Sequence, residues 1–123
     1  MNDELLDQLG QIIIQDVRDT AITNWDGYLE GKFKGTYAQK MYTLLSTADK
    51  ATQDLIRDLI PRVVDETLII FLQTLDRRTD KLELTVKNSE KNFSVYGFTE
   101  DLSSEYETQG GWLERFSRQR KPE

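Results

Sequence analysis

Ile60-Pro61-Arg62-Val63-Val64-Asp65-Glu66-Thr67-Leu68-Ile69-Ile70-Phe71-Leu72-Gln73-Thr74-Leu75 decides how this chain folds. Apolar residues at 63, 64, 68 to 72 and 75 exceed a single stripe. A helix that is apolar on most faces is normally a central, buried one. Pro61 has no N–H to give and its ring crowds the preceding turn, so it closes the helix before it and suits the first turn of the next. The stretch therefore predicts a helix over about 47–60, a break or kink at Pro61 and a central helix over about 61–76.

Working outward toward the N-terminus, Ala48, Ala51, Leu55, Ile56, Leu59 and Ile60 line the 47–60 helix. Ser46-Thr47-Ala48-Asp49 has the shape of a capping box, with Asp in place of Glu. A short helix over about 36–45 carries Tyr37, Met41, Leu44 and Leu45. Leu5, Leu6, Leu9, Ile12, Ile13, Val17, Ile22, Trp25 and Leu29 recur mostly at steps of three or four, which predicts a long amphipathic helix over 3–30. Gly10 inside it costs ~1 kcal/mol relative to Ala. Gly27, Gly31 and Gly35 place the following break between about 27 and 35.

Toward the C-terminus the period changes. Leu82, Leu84 and Val86 alternate with charged or polar neighbours, and Phe93, Val95 and Gly97 do the same after a turn-rich 88–92. This predicts an antiparallel β-hairpin over about 81–98. A short acidic helix follows over 99–107, ended by Gly110-Gly111, and Trp112, Leu113 and Phe116 anchor a last turn or two. The fold class is mainly α (α+β): about four principal helices in a bundle, one hairpin and short C-terminal helices. One domain is expected over 1–117, with a frayed basic tail over 118–123.

The chain has 123 residues with no Cys and no His. That composition excludes disulfides, thiolate nucleophiles, Ser-His-Asp triads and imidazole metal sites. No Gly-Lys-Ser/Thr phosphate loop follows the glycines, and no Gly-x-Ser-x-Gly elbow surrounds Ser103, Ser104 or Ser117. No apolar run approaches the ~18 residues of a membrane span. Met1-Asn2-Asp3-Glu4 has no basic leader, so a cytoplasmic location is expected.

The net charge of −6 is uneven. Residues 1–31 hold seven acids and one base, Arg18, and account for all of it; the remainder nets to zero. Such segregation attracts either another part of the same chain or a basic partner. Asp16, Asp19 and Asp26 on the first helix, with Glu100, Asp101, Glu105 and Trp112, are the candidate partner-binding residues. The aromatic set of Trp25, Tyr96, Phe98, Trp112 and Phe116 serves either as an exposed hot spot or as the closure of a small core. An enzyme alternative uses carboxylates to hold a divalent metal for phosphohydrolysis, with Asp58, Asp65, Asp101 and Glu105 as the candidates; no repeated Glu-x-x-His or Glu-x-x-Glu set supports it. Lys32, Lys34 and Lys40 near Phe33, Tyr37 and Tyr42 allow a regulatory or nucleic-acid role, which the acidic balance opposes.

Two stretches, Ile60-Pro61-Arg62-Val63-Val64-Asp65-Glu66-Thr67-Leu68 leading to Phe71-Leu72, and Asp101-Leu102 … Glu105 … Gly110-Gly111-Trp112-Leu113 … Phe116-Ser117, resemble small uncharacterised bacterial proteins of a domain-of-unknown-function type. That resemblance implies a bacterial cytosolic origin and a mixed helical fold, and carries no catalytic residues. In size and acidity the chain is also similar to bacterial immunity proteins, which neutralise basic toxins. The expected function is therefore a non-enzymatic protein–protein interaction module, immunity-like in binding a basic partner. No cofactor is implied, and a homodimer through the apolar stripe of the first helix is a further expectation.

Overall fold

The computed structural model describes residues 2–89, 91–97 and 99–122. It is mainly α with one antiparallel two-stranded hairpin. Residues 2–30 form one uninterrupted helical run in three stretches: α1 (Asn2–Gln11), a π-helical stretch (Ile12–Asp19) and α2 (Thr20–Glu30). The chain leaves α2 through Gly31, whose φ of 71° is the left-handed conformation that favours glycine. α3 (Thr36–Ser46) and α4 (Lys50–Arg77) follow.

The expected break at Pro61 does not occur. α4 is a single helix of 28 residues with Pro61 inside it. Its start is set by Asp49, whose side chain accepts from Thr52 N at 2.8 Å. Proline deprives the carbonyl four residues earlier of its helical donor. That carbonyl, Arg57 O, instead accepts from Arg120 Nη2 at 2.7 Å. The cost of an interior proline is thereby offset by a side chain from the far end of the chain.

The expectation that residues 61–76 are buried on most faces also needs correction. α4 turns Ile60, Asp65, Leu72 and Leu75 inward, while Leu55, Leu59, Val63, Ile70 and Phe71 stay exposed. The helical run 2–30 and α5 pack on one side of α4, and a chain of this size supplies no second layer for the other.

The hairpin pairs β1 (Thr85–Asn88) with β2 (Lys91–Ser94), Val86 opposite Phe93 and Asn88 opposite Lys91. Ser89 in the turn has φ 56°, as tight hairpin turns require. The strands are shorter than expected over 81–98. Val95–Gly97 is a 3₁₀ turn, and Phe98 lies outside the described residues. α5 (Leu102–Glu107) is capped by Asp101, and Leu102 N donates to the Asp76 carboxylate at 3.0 Å, which ties α5 to α4. α6 (Trp112–Phe116) closes the fold.

Two apolar clusters result. The larger joins Leu5, Leu6, Leu9 and Ile14 to Leu72, Leu75, Val86, Val95, Leu102, Tyr106 and Trp112. The smaller joins Ile22, Leu29 and Ile60, with Trp25, Leu45, Ile56 and Val64 packed against them. Gly10 matters to the first. A Cβ there would run into Trp112 Cδ1, so the glycine admits the indole against the helix backbone.

Candidate functional site

Along both long helices a layer of buried charge separates the apolar clusters. Ile14, Arg18 and Ile22 lie on one line at steps of four, and all three are fully buried. The Arg18 guanidinium uses its whole fork. Nε donates to Asp65 Oδ1 at 2.6 Å and Nη2 to Asp65 Oδ2 at 3.4 Å. Nη1 donates to Asp19 Oδ1 and to Ser117 Oγ, each at 2.9 Å, and Nη2 also donates to Arg120 O at 2.9 Å. The Tyr106 hydroxyl donates to Asp65 Oδ1. The π-helical stretch contains both Arg18 and Asp19, and its wider coil carries two consecutive residues inward.

The charge states follow from these contacts. Burial alone disfavours the Arg18 cation, but the hydrogen bonds and charge of Asp65, with Asp19, outweigh it and raise its pKa. Burial, and then the bond to Asp65 and its negative charge, push the Tyr106 phenol far above its ordinary value. The cluster therefore consists of a permanent cation, its carboxylate partners and a neutral phenol. Each is engaged by protein groups, so the arrangement joins four parts of the chain rather than presenting a reactive group.

One of those parts is the C-terminal segment. The expected frayed tail is corrected over residues 118–120. Arg118 N donates to Asp19 Oδ2 at 2.6 Å, and Gln119 Nε2 donates to Thr23 Oγ1 at 3.0 Å. Arg120 grips Asp26 with both terminal nitrogens, at 2.6 and 3.0 Å, besides reaching Arg57 O. Arg115 pairs with Asp7 at 2.8 Å, and Arg57 pairs with Asp26 and Glu30 at 3.4 and 3.5 Å. Much of the acid on the first helix thus faces bases of its own chain.

The residues singled out from sequence fall into different places. Asp19, Asp26 and Trp112 were expected on a partner-binding surface. Asp19 and Trp112 are buried, and Asp26 is bound by Arg120 and Arg57. Asp16 and Glu100 are exposed and Glu105 is half-buried. Asp101 accepts from Ser104 N, Ser103 Oγ and Ser104 Oγ, which hold its carboxyl below the usual range. Of the four metal candidates, Asp65 belongs to Arg18, Asp101 to the start of α5, and Asp58 is exposed on α4. Among the described residues no three Asp or Glu side chains form a group that could hold a metal ion. Arg18 and Tyr106 were not recognised from sequence as a site. The signal for Arg18 was present, as the one base on an acidic helix and in line with Ile14 and Ile22.

An apolar surface also remains open to a partner. Leu55, Leu59 and Val63 follow one another at steps of four on α4, with Ile70 seven further on, and they are 57, 45, 60 and 49% exposed. These spacings put them on one face. Beside them lies a shallow cavity of about 280 Å³ lined by Trp25 of α2 and by Ile56, Leu59, Ile60, Val63 and Val64 of α4. Phe71, 55% exposed, continues the line of Ile56, Ile60 and Val64. No helix among the described residues is long and apolar enough to cross a membrane. No family model, no curated protein and no solved structure matches this chain.

Proposed function

We propose that the protein is a non-enzymatic protein–protein interaction module whose docking surface is the exposed apolar face of α4. One observation carries the reading: five large apolar side chains, Leu55, Leu59, Val63, Ile70 and Phe71, stand exposed along one helix beside an apolar cavity. Single exposed apolar residues are ordinary, but five large ones concentrated on one helix mark a contact surface. Helix faces with anchors at such spacings dock against other helices or into grooves. The buried charge is fully engaged inside the fold, which fits a scaffold better than a catalyst.

A setting in a bacterial cytosol rests on the sequence resemblance. Immunity-like capture of a basic protein is the second reading, supported by the exposed acids Asp16 and Glu100 and by the overall charge of −6. In the first reading contact is dominated by apolar burial and persists in high salt; in the second it weakens as salt screens the charges.

A photoreactive phenylalanine analogue placed at Leu59, and separately at Lys87 on the hairpin, tests the first reading in living cells. An adduct with a protein formed from position 59 and not from 87 is the expected result. Absence of any adduct from position 59 would overturn it.

A further inference from the structure

Resting on that reading of the α4 face, we infer that its occupant is a second copy of this chain, packed antiparallel about a two-fold axis near Val64. A two-fold contact must be self-complementary, because each surface element meets its own counterpart. α4 has that property. Its midpoint falls between Val63 and Val64, and exposed apolar residues lie on both sides of it: Leu55 and Leu59 before, Ile70 and Phe71 after.

An axis at residue 64 sets Phe71 of one copy level with residue 57 of the other, between Ile56 and Ile60. Those two residues line the cavity beside Trp25. The exposed ring and the apolar hollow are thus complementary parts of one helix, and the two-fold uses each of them twice. The same axis sets Ile70 beside Leu59 of the second copy and Val63 near the centre. The charges agree as well. Arg62 and Glu66, both exposed, come level with each other's counterparts, so the centre of the contact carries balanced charge despite the acidity of the whole chain.

From Leu55 to Phe71 the face runs about 25 Å at 1.5 Å per residue. The surface lies on α4, whereas the stripe expected to mediate pairing, on the first helix, is largely turned into the core through Leu5, Leu6, Leu9, Ile14 and Ile22.

The experiment uses the purified chain and cells in parallel, again with the photoreactive analogue at Leu59. The expected result in both is a covalent dimer, with mass spectrometry locating the adduct between residues 66 and 73 of the second copy. Val63→Asp, which places a charge at the axis, weakens that adduct about a hundredfold in apparent affinity, while thermal melting shows that the variant still folds. A different protein captured at position 59 in cells, with no self-adduct from purified chain, overturns the second copy and leaves the docking face standing. No adduct in either setting overturns both. A self-adduct mapping away from α4 overturns the antiparallel arrangement.

Discussion

Arg18 is the residue on which most of the interior depends. Its fork serves Asp65, Asp19, Ser117 Oγ and Arg120 O at once. Removing one member of a buried ion pair leaves the other charge without compensation, which typically costs about 3–5 kcal/mol. Arg18→Met is therefore expected to lower stability by that order in urea unfolding. Arg18→Lys should recover little, because a single ammonium cannot reproduce a planar fork. A loss for Arg18→Met within the range of ordinary surface substitutions, about 0.5 kcal/mol or less, would contradict this account.

Tyr106 gives the cluster a pH signature. Its phenol is held neutral in the fold, chiefly by burial and then by Asp65, so its folded pKa exceeds its unfolded one. Stability from such a group is fully present below the unfolded value, about 10, and declines as pH rises beyond it. Tyr106→Phe loses a hydrogen bond to a carboxylate, worth roughly 1.5–3 kcal/mol at neutral pH. The gap between wild type and variant should then shrink above pH ~10. A gap that stays constant in urea melts from neutral to alkaline pH would show that Tyr106 does not titrate in this way.

At the scale of elements, α4 and the C-terminal segment depend on each other. Pro61 frees Arg57 O, and Arg120 occupies it. Pro61→Ala restores a backbone donor to that carbonyl, so Arg120 should matter less in its presence. A double-mutant cycle over Pro61→Ala and Arg120→Met is expected to show a coupling of about 1 kcal/mol, with the Arg120 substitution costing less in the Pro61→Ala background. Strict additivity would mean that the proline and the arginine do not act through a shared carbonyl.

The same elements show what could be read from sequence. The long first helix, the 36–46 helix, the hairpin and the short C-terminal helices were legible from periodicity and turn residues. The unbroken helix at Pro61 was not, because proline's local penalty was weighed without Arg120, which lies 63 positions beyond the freed Arg57 carbonyl. The exposure of α4 was not legible either. Val63, Ile70 and Phe71 look like core in a list of residues, and only the small number of packing elements reveals that one face lacks a cover. Of the candidate site, the acids of the first helix were noticed for their charge, yet Asp19 and Asp26 turned out to meet Arg18 and Arg120 inside the same chain.

Viewed whole, the molecule answers much of its first-helix acid from within and directs an apolar face outward. The acidic first segment is answered by Arg57, Arg115, Arg120 and Arg18, while α4 presents Leu55, Leu59, Val63, Ile70 and Phe71. The proposal that this face meets its own copy is tested most directly by the mass of the protein in solution. Sedimentation equilibrium, from low micromolar to millimolar concentration, should yield twice the 14.3 kDa chain mass at the upper end. Val63→Asp should stay at the single-chain mass, and at concentrations where the wild type is a single chain the two should melt at the same temperature. A wild-type chain that remains at 14.3 kDa throughout would contradict the proposal.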